Sequence, residues 1–180
     1  MEELSEKGEI DLCYADESKV ALEPCVPYGW QFPAEEVFMP TRRGGGINCF
    51  AILKRNNECQ VKICEGTINA QFIFERLEEL SMGLKKLTVI VLDNARVHTS
   101  KLIKERRAVW ERRGLYLFYL PRYSPHLNIV EILWRKLKYE WLSAVDYEEP
   151  ENLYYQVRLA LTAVGKSLFI KFSSFNNSLM

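Results

Sequence analysis

The sequence predicts an α/β layer fold with a mixed central sheet of about five strands flanked by helices. Three observations carry that prediction. Leu87–Leu92 is an almost continuous apolar run rich in β-branched residues, the composition of a strand buried on both faces. Ile47–Lys54 and Cys59–Cys64 are two further strand-like segments joined by Arg55-Asn56-Asn57, a hairpin signal. From residue 69 onward, helix-like and strand-like segments alternate, which is the pattern of a layered α/β domain.

The elements follow in order. Ile10–Ala15 reads as the first strand and ends at Asp16. Glu23–Gly29 and Pro40–Gly46 are turn-rich, the second holding Gly44, Gly45 and Gly46 just before a strand. Asn69–Ser81 has helical spacing at Phe72, Leu77 and Leu80. Thr99–Arg113 is a charged helix closed by Gly114, a residue that suits the end of a helix. Leu115–Leu120 is an aromatic-rich strand stopped by Pro121. Ser124 as N-cap and Pro125 at the first helical position then open one helix running to about Leu142. Glu151–Val164 is a last helix against the sheet. No repeat or linker divides the chain, so residues 1–180 are expected to form one domain, with the acidic residues 1–9 disordered.

Composition narrows the function classes. Hydrophobic residues make up 48% and charged residues 27% of the 180-residue chain, a globular balance. No apolar run approaches the ~18 residues of a membrane span, and the N-terminus lacks the order of a signal peptide, so a cytoplasmic protein is expected. Cys13, Cys25, Cys49, Cys59 and Cys64 read as free thiols. Cys59 and Cys64 lie close together, but His98 and His126 show no finger-like spacing, which disfavours zinc. Charge is uneven. Residues 1–40 hold two lysines against ten acids, a net −8, and residues 96–141 hold eleven Lys/Arg against four acids, a net +7. The basic stretch is either a solvated helix face or the footprint of a phosphate-bearing partner.

Two predicted strands end in an aspartate, Asp16 and Asp93. In open α/β sheets ligands collect beyond the carboxyl ends of strands, and a carboxylate held there is costly without donors or a cation. Either residue could instead cap a turn, and Glu17 and Asp11 are alternatives to Asp16. On the Ser124–Leu142 helix, at about 100° per residue, Leu127, Val130, Trp134, Leu137 and Trp141 form one stripe. Glu131 sits roughly 80° from its middle by the same count, with Asn128, Arg135 and Lys138 on the same flank. The plain alternative is a surface glutamate paired with Arg135 at i+4. Three acids together would suit magnesium, which prefers hard oxygen ligands, and two such ions can drive phosphodiester cleavage.

Val89-Ile-Val-Leu-Asp-Asn-Ala-Arg-Val-His98 resembles the second-aspartate motif of mariner-like DDE transposases, in particular their bacterial insertion-sequence branch. Tyr119-Leu-Pro-Arg-Tyr-Ser-Pro-His-Leu-Asn-Ile-Val-Glu131, followed by Trp134, is similar to the third-acid motif, and 37 residues separate Asp93 from Glu131. Tyr14-Ala-Asp16-Glu17-Ser18, with Gly29-Trp30 downstream, resembles the first-aspartate motif.

The resemblance implies a ribonuclease-H-like fold and two divalent ions, Mg²⁺ or Mn²⁺, held by Asp16, Asp93 and Glu131 as catalytic residues. It implies DNA cleavage followed by strand transfer into a target, by paired protomers on two transposon ends. Asn94, His98 and Asn128 would orient the site or touch DNA, with His98 as general base the alternative. Arg96 and Arg122 in the motifs, and Arg135 and Lys138 on the helix flank, are the candidate DNA-binding residues. Mariner-like transposases carry helix-turn-helix modules before the first aspartate, whereas about fifteen residues precede Asp16 here. A catalytic domain alone is therefore expected, with end recognition left to a separate helix-turn-helix subunit. A nuclease without strand transfer and a non-catalytic DNA-binding remnant are the alternative readings.

Overall fold

A computed structural model describes residues 1–25, 33, 44–64 and 66–172. Gly29-Trp30 and most of the two turn-rich segments lie outside the described residues. The elements are α1 (Glu2–Glu6), β1 (Asp11–Val20), β2 (Ile47–Leu53), β3 (Cys59–Cys64), α2 (Ala70–Met82), β4 (Thr88–Leu92), α3 (Lys101–Arg112), β5 (Leu115–Tyr119), α4 (Val130–Lys136) and α5 (Pro150–Ala163). A short 3₁₀ turn, Pro125–Leu127, precedes α4, a π turn, Leu137–Trp141, follows it, and a second 3₁₀ turn spans Ala144–Tyr147.

The five strands form one mixed sheet in the order β3-β2-β1-β4-β5. β1 runs antiparallel to β2, and β2 to β3. β4 lies parallel to β1 and to β5, joined to β5 across α3. Alternation along the strands feeds two cores. Leu12, Tyr14, Val89 and Val91 meet Leu133, Trp134, Leu137 and the α5 residues Leu153 and Val157 on one face. Cys13, Ala15, Ile90 and Leu92 meet Ile73 and Leu77 of α2 and Ile103 and Trp110 of α3 on the other. All five residues of β4 are buried, as its apolar run requires.

The helix signals hold in detail at α2 and α3. The Asn69 side chain accepts from the Phe72 N–H, and the Ser100 side chain from the Ile103 N–H, so each caps its helix. Gly114 follows α3 with φ +89, a conformation that only glycine adopts cheaply.

Three expectations are corrected. β1 does not end at Ala15. It continues to Val20 because residues 14–20 pair antiparallel with 47–53, so Asp16 lies inside the strand opposite Ala51. The segment after Ser124 is not one helix. Asn128 takes an extended backbone (φ −95, ψ 109), its side chain accepts the Val130 N–H, and α4 starts afresh at Val130, with no side-chain cap from Ser124. Residues 2–6 are helical rather than disordered. Glu2 ties α1 to the sheet by accepting from the Tyr14 hydroxyl and from Arg55, each at 2.8 Å.

Candidate active site

Asp16 is placed by strand parity. Because side chains alternate along β1, Asp16 points to the α4 side and Glu17 to the α2–α3 side, which distinguishes the two neighbouring acids. Asp16 is only 9% exposed, and the Trp134 indole N–H donates to its Oδ2 at 2.9 Å. Its carboxyl is pushed up to about 7, first by burial and then by the charges of Glu131 and Glu17. The indole N–H opposes that rise and Asp93 adds to it.

Asp93 follows β4. The parallel register sets Tyr14 opposite Val91, so Asp16 and Asp93, each two residues further along, come to the same end of neighbouring strands, where both line one groove. Asp93 Oδ1 accepts the Ala95 N–H at 2.9 Å and lies 2.7 Å from His98 Nδ1. The His98 hydrogen bond holds this carboxyl below the usual range, against the effect of burial. His98 itself is fully buried. Burial alone would pull its ring down, but the hydrogen bonds and charges of Asp93 and Glu17 outweigh burial and push it up to about 9. Its Nε2 lies 2.9 Å from Glu17 Oε2, although the two atoms are not well aligned. The His98 carbonyl accepts from the Tyr119 hydroxyl at 2.8 Å, and the Asn94 side-chain amide donates to the Leu120 carbonyl.

Glu131 sits in the first turn of α4. Asn128 fixes that turn to the sheet: it is 3% exposed, and its amide donates to the Ala15 carbonyl at 3.1 Å. Glu131 is exposed at the mouth of the site, and partial burial raises its carboxyl, with Lys138 opposing and Asp93 reinforcing. No ion pair to Arg135 is formed among the described residues.

These carboxylates line one groove of about 1080 Å³. Asn94, Arg96, Arg122 and Asn128 line it with them. Lys104 and Arg107 of α3 also face it, and sequence reasoning missed them. Their i, i+3 spacing was the available signal, but the helix around them looks uniformly solvated. Arg135 is exposed outside the groove, and Lys138 Nζ donates to Ser18 Oγ at 2.7 Å. Part of the basic stretch is structural. Arg106 and Arg113 both bind Glu78, whose carboxyl they hold at about 2, Arg106 foremost. Trp134, a member of the apolar stripe on α4, is buried and also donates to Asp16. All five cysteines are free. Among the described residues no three His, Cys, Asp or Glu side chains are close enough to hold a metal as they stand. No helix among them is long and apolar enough to cross a membrane.

Comparison with curated proteins gives no match. Solved structures do match. A Mos1 transposase paired-end complex with left transposon end is 15% identical with a TM-score of 0.56, covering 90% of this chain and 56% of that one. A simian T-cell lymphotropic virus intasome in complex with PP2A regulatory subunit B56 gamma is 10% identical with a TM-score of 0.61, covering 89% and 50%. The catalytic core domain of BIV integrase is 15% identical with a TM-score of 0.54, covering 88% and 86%. Mos1 paired-end complexes with Mn and with Mg match as well. The chain thus spans about half the length of the transposase and intasome chains it matches. At these identities the likeness establishes the fold, which is ribonuclease-H-like, as the sheet order also indicates. The model of the DDE superfamily endonuclease family matches residues 11–154, most of the chain including all three acids. The chain belongs to the DDE superfamily of endonucleases.

Proposed function

We propose that this chain is the catalytic domain of a mariner-like transposase of the bacterial insertion-sequence branch, which cleaves DNA and joins the cut ends to a target. One observation carries the reading: Asp16, Asp93 and Glu131, from three separate elements, line one groove whose walls hold Arg96, Lys104, Arg107 and Arg122. Acids and cations lining one groove suit a phosphodiester held against hard cations.

The residues fit Mg²⁺ or Mn²⁺, two ions by the resemblance. All three donors are carboxylates, and Asp16 carries the repulsion of the other two in a buried position, which a divalent cation would relieve. Binding requires the acids to draw closer than they now stand. When bound, such ions lower the pKa of water and stabilise the leaving oxygen.

The chain's own residues prepare that site. Trp134 orients Asp16, Asn128 anchors the start of α4 and so places Glu131, and His98 holds Asp93. His98 is not a general base in this arrangement. Its ring is pushed toward the protonated form by Asp93 and Glu17, and both nitrogens face carboxylates. Arg96 and Arg122 meet backbone phosphates together with Lys104 and Arg107, while Arg135 and Lys138 extend that contact beyond the groove. The DNA partners are transposon ends and target, bound by two protomers, with a helix-turn-helix subunit supplying end recognition.

The finer reading is tested by incubating pre-cut transposon ends with supercoiled plasmid, protein and Mn²⁺. Ends covalently joined to plasmid are expected. Plasmid nicking without joined product would instead favour a nuclease that lacks strand transfer.

A further inference from the structure

His98 is the most deeply buried titratable side chain of the site, and its ring spans two carboxylates from different elements. Nδ1 lies 2.7 Å from Asp93 Oδ1, beyond β4, and Nε2 lies 2.9 Å from Glu17 Oε2, on β1. The ring is fully buried. The Tyr119 hydroxyl fixes the backbone at His98 through its carbonyl, so the imidazole is held from both ends. Asp93 Oδ1 is thereby saturated, taking the ring N–H and the Ala95 N–H. Oδ2 has no such partner among the described residues, while Asp93 lines the groove. Glu17 is the chain neighbour of Asp16 but faces the opposite side of the sheet, so it acts on Asp16 by its charge and touches Asp93 only through His98.

We propose that Glu17 and His98 are a positioning pair for Asp93, fixing its carboxylate so that Oδ2 alone is offered to a divalent cation in the groove. The pair also couples the two aspartates, because Glu17 is joined to Asp16 by the β1 backbone and to Asp93 by the imidazole. Glu17 is then neither a ligand nor a spare catalytic acid. Its work is to stop the ring from swinging away and releasing Asp93 Oδ1. The proposal rests on reading the groove as a metal site.

The test uses the full chain and two readouts. In metal-free protein, the side-chain carboxyl ¹³C resonance of Asp93 is measured by NMR in wild type, Glu17→Ala and Glu17→Gln. Mn²⁺ affinity is then measured on the same proteins by titration. Glu17→Ala is expected to move the Asp93 resonance and weaken Mn²⁺ binding about 10-fold, the low end for outer-shell partners of a metal site. Glu17→Gln keeps an acceptor for Nε2–H, so it is expected to restore most of both. Arg113→Ala, which breaks a distant ion pair with Glu78, serves as a destabilised control and is expected to lower Tm with Mn²⁺ affinity unchanged. An unmoved Asp93 resonance with wild-type Mn²⁺ affinity in Glu17→Ala overturns the proposal, as does equal loss in the Arg113→Ala control. If the resonance moves but Asp93→Ala binds Mn²⁺ as tightly as wild type, the clamp on Asp93 is supported and the metal reading of the groove is overturned.

Discussion

Replacing Asp16 by Asn should make the metal-free protein more stable, by an amount that grows as pH rises from about 4 to 7. The carboxyl is buried, faces two other acids, and titrates near 7 rather than at 3.8. A folded-state value above the unfolded one means that the native state keeps a proton the unfolded chain has released. Stability therefore falls as pH rises from about 4 to 7, and the penalty is complete above that. At 1.36 kcal/mol per pKa unit, the penalty is on the order of 4 kcal/mol. For a chain of this length about 2–4 °C accompanies each kcal/mol, so a gain of about 8–16 °C is expected once the penalty is complete. Asn preserves the acceptor for the Trp134 indole N–H, which keeps the comparison one of charge. The assay is thermal unfolding in EDTA at pH 5 and pH 8.5, repeated with excess Mg²⁺. The variant should exceed wild type modestly at pH 5, where about a third of the penalty is already present, and by the full amount at pH 8.5, and Mg²⁺ should stabilise wild type alone. A variant that is equally destabilised at both pH values would refute the reasoning.

Other consequences are as specific. Trp134→Phe removes the one donor that lowers the Asp16 value, so the carboxyl midpoint followed by NMR should rise further above 7. Glu78→Gln should lower Tm near neutral pH, with an effect that shrinks below about pH 4.5 and is small only near pH 2. The Glu78 carboxyl is held at about 2, so its contribution is present above its ordinary value of 4.5 and fades as pH falls toward 2. Neutralising Arg96, Lys104 or Arg122 should weaken DNA binding, and each lost phosphate contact should reduce the log–log salt slope by about 0.9. Arg106→Gln, a residue that serves the α2–α3 contact, should leave that slope unchanged while lowering Tm. Asn128→Ala leaves the Ala15 carbonyl without its donor and should cost about 1–3 kcal/mol in chemical unfolding.

Much of this architecture was legible because its signals are local. The apolar run of β4, the Asn69 and Ser100 positions before α2 and α3, and Gly114 after α3 each act over a few residues. The end of β1 was not legible, since Glu17, Ser18 and Lys19 look like loop and become strand only through the ladder with β2. The break before α4 depends on Asn128 bonding to a carbonyl 113 residues away, which no helical periodicity can reveal. At the site, motif residues located Asp93 and Glu131, and strand parity could have assigned Asp16 and Glu17 to opposite faces once β1 was known to continue. The groove-facing role of Lys104 and Arg107 depends on how α3 lies across the sheet, and the charge pattern alone does not separate them from Arg106 and Arg113, which serve Glu78.

The central claim is that Asp16, Asp93 and Glu131 act together in metal-dependent DNA cleavage. It is tested most directly by the rate of plasmid nicking in Mg²⁺ for wild type, Asp16→Asn, Asp93→Asn and Glu131→Gln, each verified as folded. The account predicts nicking by wild type that EDTA abolishes, and a loss of more than about 100-fold in every variant, beyond the effect of outer-shell changes. Nicking that survives EDTA, or any one variant cleaving at the wild-type rate, would contradict it.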